Sequence, residues 1–378
     1  MAGHSHGFDP DGLLEFSVVY TDRALNHMSS SFQQVMRDIS GTLQEVYAAD
    51  AVVVVPGGGT FGMEAVARQF ATGRRCLVIR NGWFSFRWTQ IFDVGSIPAG
   101  HTVLPARPAA SGAKAPFAPP PIEEVTAAIT DERPAVVFAP HVETSSGMML
   151  PDPYLRAVAD AVHAVGGLFV LDCIASGTVW VDMAATGVDV LISAPQKGWS
   201  GPPSAALVML GSRAIERMGA TRSTSFACDL AKWHEIMRAY ENGGHAYHAT
   251  MPTDALRAFR DVMNETVGLG LEVVKERQME LGTKVRALLE TRGFMSLAAN
   301  GFQAPGVVVS YTDDPAIQSG RAFADRGVQI AAGVPLKCGE PEGFSTFRIG
   351  LFGLDKLMDV DGTVAAFERV LDAVVGGG

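Results

Sequence analysis

LFVLD, residues 168–172, and VDVLISAPQKG, residues 188–198, are the two stretches of sequence that decide the fold. Each is a short apolar run that ends in polar residues, Asp172 after the first and Gln196 and Lys197 after the second. Apolar runs of strand length without polar alternation predict strands that are buried on both faces. Because aspartate and lysine are seldom buried without a partner or a chemical task, both strand ends are candidates for function.

The same pattern recurs on either side of these stretches and alternates with longer periodic segments that predict helices. Further predicted strands are Ala51–Pro56, Cys76–Gly82, Ala135–His141 and Ala206–Leu210. Such alternation predicts an α/β domain with a mostly parallel sheet and helices on both faces. We place this large domain at residues 35–250, after an N-terminal segment at 1–34.

The last third of the chain has a different character. Residues Thr253–Thr291 read as one long helical connector, followed by the strand Val307–Tyr311, further short strands and a C-terminal helix. This order predicts a smaller α+β domain, so residues 251–378 form the third part of the chain. Six prolines between Pro105 and Pro121 predict an irregular, exposed loop in the large domain.

Composition excludes several classes of protein. Of 378 residues, 47% are apolar and 19% are charged, which excludes a disordered chain, and the net charge of −10 argues against a nucleic-acid partner. The sequence has no apolar run of membrane-spanning length and no secretory signal, and its four cysteines form no close pair. We therefore expect a cytoplasmic enzyme without a metal site, and we interpret His4 and His6 as part of a frayed terminus.

Candidate site residues follow the predicted strands, because ligands of open α/β sheets bind outside the carboxyl ends of the strands. After five of the strands the sequence places 57–60 (GGGT), 81–84 (NGWF), His141 with 143–146 (ETSS), Asp172, and 196–197 (QK). A glycine-rich turn, aromatic rings, one aspartate and one lysine should thus meet at one edge of the sheet.

The glycine-rich turn has two interpretations. Gly57, Gly59 and Gly62 fit the pattern G-x-G-x-x-G of dinucleotide-binding proteins. The next strand ends in Arg80 and Asn81 rather than an acidic residue, which leaves an NADP-dependent oxidoreductase as one alternative. Backbone N–H groups at a helix N-terminus bind phosphate of any origin, so a phosphate site of another kind is the simpler interpretation.

Lys197 and Asp172 could form a buried ion pair, or they could belong to a pyridoxal phosphate (PLP) site. In a PLP site a lysine bonds the cofactor aldehyde and later carries a proton, while an acid keeps the ring nitrogen protonated. The glycine turn would hold the phosphate, an aromatic ring would stack on the cofactor, and an arginine would bind the substrate carboxylate. Arg348 is the candidate for the last role.

Seven motifs occur in an order that resembles a known family. They are PGGGTFGMEAV (56–66), NGWFSFR (81–87), HVETSSG (141–147), LDCIAS (171–176), SAPQKG (193–198), AYHATMP (246–252) and FRIGLFG (347–353). Together they resemble the class V, fold-type I PLP-dependent aminotransferases, especially alanine/serine–glyoxylate aminotransferases, with likeness to 2-aminoethylphosphonate–pyruvate aminotransferase. The resemblance extends from about residue 26 to residue 353.

The resemblance assigns roles in the centre of the site. It implies that Lys197 is the Schiff-base lysine, with Gln196 beside it near the cofactor phosphate. Asp172 is implied to be the partner of the pyridine nitrogen, and Ile174 to pack on the ring.

The resemblance also implies roles around the cofactor. Gly58, Gly59 and Thr60 match the phosphate-binding loop, Phe84 matches the stacking aromatic, and Thr144 matches the hydroxyl that bonds the phenolic oxygen.

Three further residues complete the implied site. Tyr247 and Thr250 match residues that reach the phosphate of the neighbouring subunit's cofactor, which implies a homodimer with shared active sites. Arg348 matches the arginine that binds the substrate carboxylate.

The sequence departs from the family pattern at three places. Residues Ser17–Ser29 replace a Pro-Gly-Pro turn near the substrate, and we take Tyr20, Asn26 and His27 there as candidate pocket or surface residues. Ser85 stands where glycine is common, and Gly58 where serine is common.

The expected activity is a ping-pong transfer of an amino group from an alanine- or serine-type donor to glyoxylate or pyruvate. Alternatives are a 2-aminoethylphosphonate–pyruvate aminotransferase, a PLP lyase or cysteine desulfurase that uses Cys338, and a PLP-binding protein without catalysis.

Overall fold

The structure, a computed structural model, describes residue 9 and residues 12–376. His4 and His6 lie outside the described residues. The strands are β1 Ala51–Pro56, β2 Arg75–Arg80, β3 Gly100–Pro105, β4 Arg107–Pro108, β5 Phe117–Ala118, β6 Val136–Pro140, β7 Val142–Glu143, β8 Met148–Met149, β9 Leu168–Asp172, β10 Val190–Ser193, β11 Ala205–Leu210, β12 Val307–Tyr311, β13 Ala331–Ala332 and β14 Thr346–Gly350. The helices are α1 Ser30–Tyr47, α2 Gly59–Phe70, α3 Trp83–Gly95, α4 Ile122–Glu132, α5 Asp152–Ala164, α6 Met183–Thr186, α7 Ser212–Gly219, α8 Leu230–Glu241, α9 Thr253–Leu269, α10 Leu271–Thr291, α11 Pro315–Gln318, α12 Arg321–Ala324, α13 Leu354–Met358 and α14 Val360–Val375.

A seven-stranded sheet in the order β1-β11-β10-β9-β6-β2-β3 forms the centre of the protein. Within this sheet β11 alone runs against its neighbours, and the other strands are parallel to one another. The mostly parallel sheet predicted from the apolar runs is therefore confirmed. Since parallel strands end at the same edge, the residues after β1, β2, β6, β9 and β10 converge there.

Helices cover the sheet and account for its apolar strands. α1 and α8 pack against β1, α2 against β11, α3 against β2, and α5 against β9. The side chains of β9 and β10 lie fully in the core, apart from the polar residues at their ends. Burial of these β-branched and aliphatic side chains is the main stabilising contribution of the domain.

A second, antiparallel sheet in the order β12-β14-β13 belongs to the smaller C-terminal part. The helices α10 and α14 pack together beside it, over a core that includes Val285, Phe347 and Leu371. The sequence predicted one connector helix over Thr253–Thr291, but the structure has two, because Gly270 adopts φ +93 and ends α9.

Two sequence predictions in the large domain need correction. The edge strand β3 was not predicted, because its side chains are only partly buried and its sequence is not an apolar run. The segment between Pro105 and Pro121 is not wholly an exposed loop, since β4 pairs with β5 and the ring of Phe117 is buried against Phe344.

The limits between the three predicted parts of the chain remain a prediction. Within residues 12–376, no helix is both long and apolar enough to span a bilayer.

Close packing in the smaller part predicts unequal effects of two glycine substitutions. A Cβ on Gly282 of α10 would lie 2.4 Å from the backbone oxygen of Pro305, whereas a Cβ on Gly268 of α9 would meet nothing within 4 Å. Gly282→Ala should lower the free energy of unfolding by about 1–3 kcal/mol, since backbone must move. Gly268→Ala should raise it by about 0.5–1 kcal/mol, because alanine favours a helix interior.

Chemical denaturation of both variants would measure the difference. Equal stabilities for Gly282→Ala and Gly268→Ala would contradict the packing of α10 against the chain before β12.

Candidate active site

A pocket of about 200 Å³ opens at the edge of the sheet where the parallel strands end. Eight of the residues singled out from the sequence line it: Gly59, Thr60, Phe84, Thr144, Asp172, Ile174, Gln196 and Lys197. They come from segments at the ends of five different strands (β1, β2, β6, β9 and β10), which explains why they are distant in sequence and close in space. Met63, Arg87, Val142 and Ala175 complete the lining.

Lys197 and Asp172 face the same pocket without forming an ion pair, since no ammonium–carboxylate distance of 4.0 Å or less joins them. Burial raises the pKa of Asp172 to about 6, although its Oδ1 accepts a 2.9 Å hydrogen bond from the Ile174 N–H. Burial also lowers the pKa of Lys197; the charge of Asp172 opposes this effect, and the nearby arginines Arg348 and Arg87 add to it. A lysine with a lowered pKa is more readily the neutral amine that a nucleophile requires.

The ring of Phe84 lies among three cations. The distances from its centroid are 5.2 Å to Arg87 Cζ, 5.6 Å to Arg348 Cζ and 5.9 Å to Lys197 Nζ. Arg348 stands on β14 of the smaller sheet, and its Nε donates a 2.8 Å hydrogen bond to the Ala332 oxygen. That bond leaves both terminal nitrogens of Arg348 for a bidentate contact with a carboxylate.

The glycine turn between β1 and α2 fits closely against its surroundings. A Cβ on Gly59 would lie 2.4 Å from Ile174 Cδ1, and a Cβ on Gly62 would lie 2.6 Å from Ala206 Cβ. Gly62 is thus explained by the packing of α2 on β11 rather than by a ligand. Gly58 is the N-cap of α2, and space is open above it.

Glu143 is a buried carboxylate whose importance the sequence analysis missed. Its two oxygens accept hydrogen bonds from the backbone N–H groups of Phe84 (3.1 Å), Ser85 (2.8 Å) and Ser145 (3.1 Å), and from both serine hydroxyls (2.6 and 2.7 Å). An acceptor at the N-terminus of α3 is favoured by the helix dipole. Glu143 therefore fixes the start of α3, and with it the backbone of Phe84, to the segment after β6.

Ser85 completes this arrangement. Its Oγ accepts hydrogen bonds from the N–H groups of Asn81 (2.9 Å) and Gly82 (3.1 Å) while it donates to Glu143. The serine that departs from the family pattern is thus part of the cap of α3. The sequence signal was only the position of Glu143 after a strand, because its donors come from two distant segments.

Some predicted residues lie away from this pocket. Tyr247 and Thr250 are exposed and share a 3.1 Å hydrogen bond between their hydroxyls. Tyr20 donates to the backbone oxygen of Met251, and the buried His27 ring lies 5.5 Å from the Tyr247 ring. The N-terminal segment therefore packs against the segment that carries Tyr247 and does not line this chain's own pocket.

The pocket residues fit PLP. An amine whose pKa is lowered, a separate buried acid, an aromatic ring and the N-terminus of α2 surround one cavity, and Lys197 and Asp172 both face it without an ion pair between them. The close contact between Gly59 and Ile174 shows that the wall beneath this cavity admits no larger residue.

The buried position of Glu143 predicts a specific loss of stability. In Glu143→Gln an amide N–H₂ group would face N–H and hydroxyl donors, which leaves at least one buried donor without an acceptor. The free energy of unfolding should fall by about 1–3 kcal/mol. Glu340→Gln is a matched control, because Glu340 also accepts three backbone N–H bonds but is partly exposed, so water can substitute. Urea unfolding of both variants tests this prediction, and an equal or larger loss in Glu340→Gln would contradict it.

Comparisons with known proteins agree with this arrangement. The sequence profile described as aminotransferase class-V matches residues 14–344. Two relatives are a protein of Synechococcus sp. named soluble hydrogenase, small subunit (25% identical, 92% of this chain and 87% of the relative), and a 2-aminoethylphosphonate–pyruvate transaminase of Vibrio vulnificus (28% identical, 87% and 85%). The crystal structure of an alanine–glyoxylate aminotransferase from Nostoc sp. superposes with a TM-score of 0.75 at 25% identity and covers 92% of this chain and 89% of its own. Because the profile match spans most of the sequence, the chain belongs to the class-V aminotransferases and is a PLP-dependent transaminase of fold type I.

Proposed function

We propose that the enzyme transfers the amino group of a small amino acid of the alanine or serine type to glyoxylate or pyruvate by a ping-pong mechanism. The observation that carries the proposal is that the partly buried Lys197 and the buried Asp172 share one pocket without forming an ion pair. In a structural ion pair the ammonium group of Lys197 would contact the carboxylate of Asp172, whereas a cofactor ring bound between them requires the two groups to stay apart.

PLP supplies an aldehyde carbon and an electron-withdrawing ring when it is bound. Lys197 is the amine that would hold the aldehyde carbon, and it then moves the proton at the α-carbon of the donor. Asp172, whose carboxylate is buried, would hold the proton at the ring nitrogen. Gly58, Gly59, Thr60 and Gln196 would hold the phosphate, and Thr144 would bond the phenolic oxygen.

Arg348 is the proposed substrate-carboxylate residue. Its Nε is fixed by the Ala332 oxygen, so the guanidinium can present its two other nitrogens to one carboxylate. The cavity of about 200 Å³ would hold the cofactor, and Arg348 lies beside this cavity over the Phe84 ring.

A second candidate is a 2-aminoethylphosphonate–pyruvate activity, which the name of the Vibrio vulnificus relative supports. In that case an additional cation would have to hold the phosphonate. The geometry disfavours a desulfurase that uses Cys338, because burial raises the pKa of this thiol to about 12 and its S–H lies 3.3 Å from the Arg80 oxygen. A reactive thiol needs a lowered pKa and access to the substrate.

The homodimer and the cytoplasmic location are part of the same proposal. Tyr247 and Thr250 expose their hydroxyls away from this chain's pocket, which supports a role in the site of a partner subunit. The four cysteines are free, which is usual for a reducing compartment.

The first test is the absorption spectrum before and after addition of L-alanine. The wild-type enzyme should show the visible band of lysine-bound PLP, and L-alanine should diminish it. Lys197→Ala should lack the band and lose turnover by roughly a thousandfold or more, because one residue bonds the cofactor and moves the proton. Lys337→Ala is the control, since Lys337 lies on the nearby loop over Trp83 and outside the pocket.

The spectrum also separates the candidate substrates. A band that persists with L-alanine but changes with 2-aminoethylphosphonate would replace the proposed donor. Wild-type turnover in Lys197→Ala would refute the site.

The shared site predicts complementation between two inactive variants. Lys197→Ala should be inactive, and Tyr247→Phe combined with Thr250→Ala should bind PLP weakly, because the partner's phosphate loses two hydroxyls. Mixed and reassociated in equal amounts, the two proteins should regain about a quarter of wild-type activity, since half of the dimers are hybrids with one intact site. Each variant mixed with itself is the control, and the absence of any gain would contradict the shared site.

A further inference from the structure

Arg87 is a cation of the pocket that the proposed mechanism does not use. It stands on α3 one turn after Phe84, lines the cavity, and donates a 2.9 Å hydrogen bond from Nη1 to Thr60 Oγ1. Among the described residues it forms no ion pair with a carboxylate. Four of its five N–H donors are therefore available to an anion.

The N-terminus of α2 beside Arg87 also lacks an acceptor. Its N-cap, Gly58, has no side chain to receive an N–H bond, although Ser, Thr, Asp or Asn usually stands there. The N–H groups of Gly59 and Thr60 have no acceptor among the described residues. A Cβ at Gly58 would meet nothing within 4 Å, so the space above the cap is open.

The charges of the pocket do not balance without an anion at this end. Lys197, Arg87 and Arg348 surround the Phe84 ring, and the helix dipole of α2 adds positive potential. Asp172 is the carboxylate of the lining and Glu143 lies behind it, so three cations face two carboxylates. A phosphate monoester, which carries between one and two negative charges, would supply the missing anion.

We propose that Arg87 binds the cofactor phosphate and, together with Thr60, takes the place of the side-chain oxygen that Gly58 lacks. The inference rests on the proposed site and adds to it one cofactor-binding residue. Planar guanidinium groups bind phosphate through paired hydrogen bonds. The hydrogen bond to Thr60 holds the guanidinium group of Arg87 beside the N-terminus of α2.

Comparison of PLP with pyridoxal, which lacks the phosphate, tests this role directly. Dissociation constants of both compounds would be measured by fluorescence quenching of the apoenzyme. Arg87→Met should weaken PLP binding by roughly 10- to 100-fold, because a charged hydrogen bond is lost. Its affinity for pyridoxal should remain at the wild-type value. Arg87→Gln, which can still donate to Thr60, should show the same selectivity if Arg87→Met folds poorly.

Two further variants sharpen the result. Gly58→Ser in the Arg87→Met background should recover part of the PLP affinity and leave the pyridoxal affinity unchanged, since a hydroxyl returns to the open cap. Arg74→Met is the charge-matched control, because Arg74 precedes β2 at the opposite edge of the sheet. It should leave both affinities unchanged.

Two outcomes would overturn the proposal. Equal losses for PLP and pyridoxal in Arg87→Met would mean that the arginine only packs on Phe84. Unchanged PLP affinity with a raised KM for 2-aminoethylphosphonate or aspartate, but not for alanine, would mean that it binds a distal anion of the donor. Failure of the proposed site itself is distinguishable, because wild-type protein would then bind PLP without the Lys197-dependent visible band.

Discussion

The active site depends on two ionisable groups, the buried Asp172 and the partly buried Lys197, that form no ion pair. Burial of a lysine or an aspartate is unfavourable unless each finds an opposite charge, and two such groups in one cavity would ordinarily pair. Here Asp172 ends β9, and Lys197 lies in the turn that follows the neighbouring strand β10, so both reach the same edge of the sheet. We propose that a bound cofactor makes this arrangement favourable.

Glu143 fixes the part of the pocket that is formed by Phe84 at the start of α3. Its carboxylate accepts hydrogen bonds from five donors at the start of α3 and in the Ser145 turn, so the main chain that carries Phe84 is fixed. Phe84 is the proposed stacking residue, and a fixed main chain lowers the entropy that such a ring would lose on binding. The side of the site that carries Asp172 and the side that carries Phe84 therefore both take their shape from contacts within the protein.

Features whose pattern lies within one segment could be predicted from the sequence, and features that depend on contacts between distant segments could not. Apolar runs ending in Asp172 and Lys197 predicted both the parallel sheet and the edge on which the pocket lies, because the residues within one strand are enough to indicate that the strand is buried. The edge strand β3 has no such run, and the donors of Glu143 and the bond between Arg87 and Thr60 arise only when α2 and α3 approach each other. Tyr247 and Thr250 were found by resemblance alone, and within one chain they have no site to complete.

The net positive charge of the pocket couples cofactor binding to the stability of the folded chain. Three cations and the N-terminus of α2 repel one another in the apoenzyme. An anion that binds only the folded chain raises the free energy of unfolding, and the increase grows with the logarithm of the anion concentration divided by its Kd. Gly58 makes this link stronger, because no side-chain oxygen caps α2 in the absence of a ligand. The residues that hold the phosphate should therefore contribute to the stability of the large sheet only when the cofactor is present. The close packing of Ile174 on Gly59 involves protein atoms alone and should therefore not depend on the cofactor.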